Sequence, residues 1–282
     1  LEQFLILFPH ADLFVLVDFL PGAERSLLHG RQPHTSFLQR MPFARRRFRS
    51  YLPLMPLAVR QFDVSRYELV ISNSHAFAKG ARTGPHQRHV CYCHTPMRYA
   101  WDLQEQYLRA TGLDRGPKSW AVRAVLHYLR NWDRAAASRV DAFLTNSNYV
   151  AARIRNIYGR DAAVIHPPVD TSFFTPGGTP REDWYVTVSR LAPYKRVDVI
   201  VQAFTAMPDK RLVVIGEGPL AEACRRGAGP NVSFRGHAPA EELREALRRA
   251  RGFVFAAEED FGIAPVEAQA CGTPVVCYGR GG

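Results

Sequence analysis

Glu258-Glu259-Asp260-Phe261-Gly262-Ile263-Ala264-Pro265-Val266-Glu267-Ala268-Gln269-Ala270-Cys271-Gly272-Thr273-Pro274-Val275-Val276 is the stretch on which the fold turns. It follows the apolar run Phe253-Val254-Phe255-Ala256, which reads as a buried strand, and it closes on another apolar run. Between them a Phe-Gly turn leads to a helix expected to start at Pro265, where the missing N–H costs nothing. Such a helix presents free amides and a positive dipole end directly after a strand, which makes an anion site. Glu259 and Glu267, separated by seven residues, stand at its two ends. Carboxylates so placed can accept from sugar and ribose hydroxyls while the amides hold phosphate. The residues also read as a capping Glu on a solvated acidic loop; the ordered succession of turn, helix and strand favours the ligand site.

Outward from this stretch, apolar strand-like runs alternate with helical patterns, the sign of parallel sheets with crossover helices. In the first half strands are expected over 12–19, 68–73, 88–92, 142–145 and 163–165. Helices are expected over 53–61, 97–108, 118–139 and 148–158. From His166 to Gly178 prolines and glycines cluster and the periodicity is lost, so the domains are read as 1–168 and 169–282. The second half predicts strands over 184–189, 212–215, 232–234, 253–256 and 274–277, with helices over 197–206, 220–226, 240–250 and 266–270. The 282 residues suit two α/β domains. The chain opens without Met, within a helical pattern at 1–7, and stops just after a strand; it reads as short at both ends.

Hydrophobic content of 46% supports a sizeable core. The formal charge of +11 is uneven: residues 1–170 carry 23 Lys and Arg against 13 Asp and Glu, the remainder 14 against 13. A basic first half suits an anionic partner such as a membrane surface or a phosphate-linked lipid. It equally suits a solvated surface in an Arg-biased protein, since Arg outnumbers Lys 33 to 4. Nucleic acid would rest on charge alone and is not expected. Five Cys at 91, 93, 224, 271 and 277 fit no disulfide framework and point to a reducing compartment. Cys91-Tyr92-Cys93-His94 lacks a second ligand pair at zinc spacing, so no metal site is expected. No apolar run is long enough to span a bilayer and no signal peptide is visible. The expected location is cytoplasmic, with peripheral attachment to the inner face of the plasma membrane.

Ligands of open α/β sheets bind at the carboxyl ends of strands, and four such ends in the second half carry suggestive residues. Arg190 and Lys195 follow the first strand, a guanidinium fork and a mobile ammonium suited to one diphosphate, or else solvated charges in a helix-entry loop. Gly216-Glu217-Gly218 follows the second, where small residues admit a ligand or simply make a turn. Phe234-Arg235-Gly236-His237 ends the third, and the acidic stretch is the fourth. In the first half, His94 directly after a strand and before Pro96 faces the ligand edge of its sheet, although a lone His is more often structural. Ser72-Asn73-Ser74-His75 and Thr145-Asn146-Ser147-Asn148 also close strands, as lining or as helix caps.

The run from Glu259 to Glu267 resembles the Glu-x7-Glu signature of the retaining glycosyltransferases of family 4, sugar-nucleotide enzymes with the GT-B fold. The resemblance extends from about Asp12 to the end, with motifs in order. It implies two Rossmann-like domains with parallel sheets facing across a cleft. It implies that Arg190 and Lys195 bind the donor diphosphate and that Glu267 binds ribose hydroxyls. Glu259 would contact the donor sugar, and amides at Phe261, Gly262 and Ile263 the sugar or distal phosphate. Gly216, Glu217 and Gly218 would flank base and ribose, and His237, more loosely, the nucleobase. Cys91 to Asp102, with His94, resembles a branch acting as mannosyltransferases of bacterial surface-polysaccharide assembly, which favours guanosine diphosphate mannose as co-substrate and a lipid-linked or growing glycan as acceptor. The family's opening glycine-rich loop and closing helix are not present in this sequence. With no Asp-x-Asp pair in the chain, the two cations are expected to replace a metal, and no cofactor is expected. Alternatives are an inactive nucleotide-sugar-binding protein and a GT-B sugar-nucleotide epimerase; a Rossmann oxidoreductase is disfavoured because no Gly-x-Gly-x-x-Gly follows a strand.

Overall fold

The computed structural model describes residues 2–110 and 112–282; Leu1, the first residue of the expected opening helical pattern, lies outside them. The chain divides into two units, Leu1–Ile165 and His166–Gly282, the division falling just ahead of the Pro167-Pro168 pair.

In the N-terminal unit, β1 (Phe14–Val15) and β2 (His34–Thr35) form a small parallel pair. β3 (Leu69–Ser74), β4 (Arg88–Cys93), β5 (Ala142–Thr145) and β6 (Ala162–Val164) make a four-stranded parallel sheet in that spatial order. The helices are α1 (Glu2–Leu7), α2 (Ala44–Arg47), α3 (Met55–Arg60), α4 (Gln104–Ala110), α5 (Pro117–Ala137) and α6 (Asn148–Tyr158). Pro117 opens α5, where its fixed φ suits the first turn, and Leu126, Leu129, Trp132, Asp133, Ala136 and Ala137 bury one helical face. Ser147 caps α6 by accepting from the Val150 amide, and Gly159 at φ 66° ends it.

Two expected elements are shorter than the sequence suggests. The strand over 12–19 reduces to Phe14–Val15. Beyond it side chains take over the backbone: the Asp18 amide donates to Gln39 Oε1 and the Leu20 amide to Asp18 Oδ1. The helix over 97–108 begins only at Gln104. Its first part is a partly buried series of turns, where the Trp101 indole donates to Asp133 and Asp102 pairs with Arg153 at 2.6 Å.

The C-terminal unit has β7 (Trp184–Val188), β8 (Arg211–Ile215), β9 (Val232–Gly236), β10 (Gly252–Phe255) and β11 (Val275–Cys277), all parallel, in the order β11-β10-β7-β8-β9. Its helices are α7 (Val197–Thr205), α8 (Ala221–Arg226), α9 (Ala240–Arg249) and α10 (Ile263–Ala270). Alternation along β8 feeds two cores. Val213 and Ile215 pack with Val186, Leu247 and Phe253 on one face, and Leu212 and Val214 with Val201 and Phe204 on the other. α10 starts at Ile263, two residues before the expected Pro265. Gly262 at φ 84° makes the turn, and Pro265 still lies among the first residues whose N–H has no intrahelical partner. Among the described residues no helix is long and apolar enough to cross a membrane.

Candidate functional site

The strand order of the C-terminal unit reverses between β7 and β10, the position where open α/β sheets bind ligands. The loops leaving these two strands carry Lys195 and Glu259, and the structure joins them: Lys195 Nζ rests on Glu259 Oε1, with the two side chains only 19% and 20% exposed. The Tyr194 and Phe255 rings flank the ammonium at 5.4 and 5.9 Å. Glu259 is fixed through its backbone, whose carbonyl accepts from the Gly282 amide at 2.9 Å. Gly281, at φ 116°, passes so close that a Cβ would lie 2.4 Å from that carbonyl. Arg190, at the start of the β7 loop, is exposed and is not drawn into the pair.

The two glycines after β8 serve this loop. A Cβ on Gly216 would lie 2.0 Å from the Ser189 carbonyl oxygen, and one on Gly218 2.4 Å from that of Leu191. Their φ values of 131° and 157° suit only glycine. The Leu191 amide donates to the Glu217 carbonyl and the Leu220 amide to the Leu191 carbonyl. In this structure Gly216-Glu217-Gly218 is therefore a backbone splint for the Arg190 loop. His237 is exposed just past β9, an edge strand two positions from β7.

In the remaining loop the Phe261 ring stacks on His166 at 5.5 Å. Gly262 and Ile263 open α10, and Glu267 lies one turn along it. Glu267 is half-buried, and burial pushes its pKa up. Glu259, Phe261, Gly262, Ile263 and Glu267 thus share one strand–loop–helix unit, and Lys195 reaches it from β7.

In the N-terminal unit His94 follows β4 and donates its backbone amide to the Ser74 carbonyl at 2.9 Å. Its Nε2 meets Asn73 Oδ1 at 2.5 Å, and Asn146 Nδ2 donates to its carbonyl. Burial, then the neighbouring His75, push the His94 pKa down to about 4, so the ring is neutral at pH 7. Ser147 is a helix cap, as one reading of its segment had it, whereas Asn73 and Asn146 hold His94.

Sequence reasoning missed a fully buried ion pair beneath this edge. Lys79 Nζ lies 2.5 Å from Asp133 Oδ1 and donates to the Ala76 carbonyl. Asp133 Oδ2 accepts from the Trp101 indole and the Tyr158 hydroxyl. Burial alone would lower the Lys79 pKa, but Asp133 reverses this and holds it above its ordinary value. The available signal was Asp133 itself, a carboxylate in register with the apolar face of α5. His89 was missed too: buried and hydrogen-bonded to Ser72 Oγ at 2.9 Å, its pKa is pushed down to about 4, chiefly by burial.

Residues 12–173 match the family described as Glycosyltransferase Family 4, and residues 171–282 match that described as Glycosyl transferases group 1. Over 175 residues the chain is 31% identical to a D-inositol 3-phosphate glycosyltransferase of Mycobacterium sp. (strain KMS), covering 53% of this chain and 40% of that protein. The counterpart in Mycobacterium bovis (strain BCG / Pasteur 1173P2) is 29% identical, covering 53% and 36%. The match thus spans well under half the length of these relatives. Among solved structures, sucrose-phosphate synthase from Thermosynechococcus elongatus superposes with a TM-score of 0.64 at 18% identity, covering 97% of this chain and 79% of that one. The Anabaena protein HepE, in complex with UDP and glucose, gives 0.61 at 19% identity, covering 95% and 73%. These likenesses are of fold: two Rossmann-like units of the GT-B class.

Proposed function

The chain belongs to glycosyltransferase family 4, and from that premise we propose that it is a retaining hexosyltransferase. It moves a hexose, with mannose favoured, from a nucleotide diphosphate sugar to a hydroxyl of a lipid-linked or growing glycan acceptor. The observation that carries this reading is the meeting of Lys195 and Glu259 at the point where the strand order reverses, beside the N-terminus of α10.

Arg190, Lys195 and the amides of the α10 turn bind the diphosphate and stabilise it as it departs, by preorganised charge. These cations do the work of a metal ion, so no metal cofactor is needed. Glu267 accepts from ribose hydroxyls and Glu259 from the sugar. Gly216, Glu217 and Gly218 border the nucleotide through the loop they splint, and His237 borders the base. His94, held neutral by burial, orients the sugar or acceptor. The basic N-terminal unit supplies affinity for an anionic membrane surface at which a lipid-borne acceptor is met, on the cytoplasmic side.

The test incubates the purified protein with guanosine, uridine and adenosine diphosphate sugars and a lipid-linked acceptor in excess chelator. Acceptor-dependent release of nucleoside diphosphate, with the anomeric configuration kept, is the expected result. Turnover that returns only with manganese or magnesium refutes the metal-free assignment, and nucleotide-sugar conversion without acceptor points to an epimerase.

A further inference from the structure

Lys195, assigned above to the diphosphate, is already engaged. Its ammonium rests on the Glu259 carboxylate, both side chains are four-fifths buried, and neither has a second ion-pair partner among the described residues. To an ammonium, a carboxylate and a diphosphate are the same kind of partner, an anionic oxygen acceptor. The two therefore compete for one cation. Glu259 cannot simply drift away when it loses, because its backbone is pinned by the Gly282 amide and the close pass of Gly281. Lys195 is likewise kept in place between the Tyr194 and Phe255 rings.

We infer that Glu259 is the resident counter-ion of Lys195, and that its exchange for the diphosphate lets the site distinguish a sugar-bearing donor from the bare nucleoside diphosphate. The inference rests on the function proposed above. Either nucleotide that captures Lys195 strands the Glu259 carboxylate in a largely buried place, where an unpartnered charge is costly. A donor carrying its hexose brings hydroxyls that donate to the freed carboxylate and restore its hydrogen bonds. A bare diphosphate brings none. After transfer the hexose departs with the acceptor, Glu259 loses those donors, and the Lys195–Glu259 pair re-forms against the remaining diphosphate. The ion pair thereby favours donor over product and promotes release of the product.

Glu259→Gln keeps the shape of the side chain and removes its charge. Calorimetry on the purified protein, with UDP, GDP, UDP-glucose and GDP-mannose as probes and a melting curve for each variant, tests the idea. Affinity for the free diphosphate that the wild type binds should rise about tenfold in Glu259→Gln. The matching sugar nucleotide should gain less or lose, so that the preference for donor over product collapses. Turnover should fall while inhibition by the diphosphate strengthens. Glu259→Asp, one methylene shorter, should shift the preference the same way by a smaller factor, and it carries the test if the Gln variant does not fold. Unchanged or weakened diphosphate binding in these variants, or an equal gain for both ligands, overturns this inference alone. A folded wild type that binds none of the four probes overturns the proposed function together with it.

Discussion

Residues 1–165 carry 23 Lys and Arg against 12 Asp and Glu, whereas residues 166–282 carry 14 of each. The basic unit nevertheless keeps its most intimate ion pair at its centre: Lys79 and Asp133 are fully buried among Trp101, Tyr158 and the Ala76 carbonyl. The neutral unit keeps its pair at the rim, where Lys195 and Glu259 end two loops and retain about a fifth of their exposure. A central pair with no exposed side-chain surface cannot change partners without unfolding its surroundings. A rim pair can. The contrast separates charge that holds a fold from charge available to a ligand, although each pair is a lysine ammonium on a carboxylate.

The sharpest way to break this comparison is to remove one partner from each pair. Lys79→Ala leaves an unpaired carboxylate in the core and should cost about 3–5 kcal/mol, read as a lower denaturant midpoint for the N-terminal unit. Lys195→Ala also leaves a carboxylate unpaired, but Glu259 keeps about a fifth of its exposure to water, so the midpoint of the C-terminal unit should fall by less. A similar loss from both variants would mean that position in the sheet does not matter.

Ligand binding should divide the other way. Lys195→Ala and Glu267→Ala should each weaken nucleoside diphosphate binding by roughly 1.5–3 kcal/mol, about ten- to a hundredfold. His94→Ala, in the other unit, should leave that affinity nearly unchanged in calorimetry while depressing initial rates with the sugar donor. Full turnover in His94→Ala, or nucleotide binding as poor as in Lys195→Ala, would refute the assignment of His94 to the sugar or acceptor.

Acid should tilt the two units in opposite directions. His89 and His94 have folded pKa values near 4, below the unfolded 6.5, so the unfolded chain binds more protons as pH falls through 6.5. Stability present above pH 6.5 is therefore lost toward pH 4, with buried His89 alone contributing roughly 2 kcal/mol of the loss by pH 5. Burial raises the Glu267 pKa above its ordinary value of 4.5, so protonation between that raised pKa and 4.5 relieves its burial and favours the folded C-terminal unit. Melting curves between pH 6.5 and 4.5, resolved by unit, should move apart; parallel curves would contradict these signs.

The smallest expected effect concerns surfaces. Arg45, Arg46, Arg47 and Arg49 are exposed, and Phe43 beside them is 74% exposed. Cosedimentation with anionic vesicles should exceed that with neutral ones severalfold at low salt and fade as salt rises. Equal sedimentation with both would leave this face merely solvated.

Much of this was legible in the chain. The segments 142–145 and 148–158 have the bounds their patterns predict, and for the helix the reason is local: Ser147 as cap, Gly159 as stop. The acidic stretch was legible because turn, helix and strand succeed one another within twenty residues. The misreadings arose where distant side chains override local pattern, as Gln39 does at Asp18 and Asp133 at Trp101. Gly216 and Gly218 were visible as small residues, but the partner they admit is the Ser189–Leu191 backbone, which no local spacing reveals. The joining of Lys195 to Glu259 was hidden for the same reason: it depends on which strands become neighbours.

That neighbourhood also sets an order of events during synthesis. β7 pairs with β8 and β8 with β9, while β10 pairs with β7 on its opposite edge. A chain emerging from the ribosome can lay down three adjacent strands in sequence, but it must then return across 64 residues to bring Glu259 to Lys195. Until β10 arrives, β7 has a bare edge and its lysine has no carboxylate. Contact between Lys195 and Glu259 therefore marks the docking of β10 on β7, which gives β11 the edge it pairs with. A probe of that contact placed in a refolding experiment should report a late step of assembly, after β8 amides are already protected from exchange.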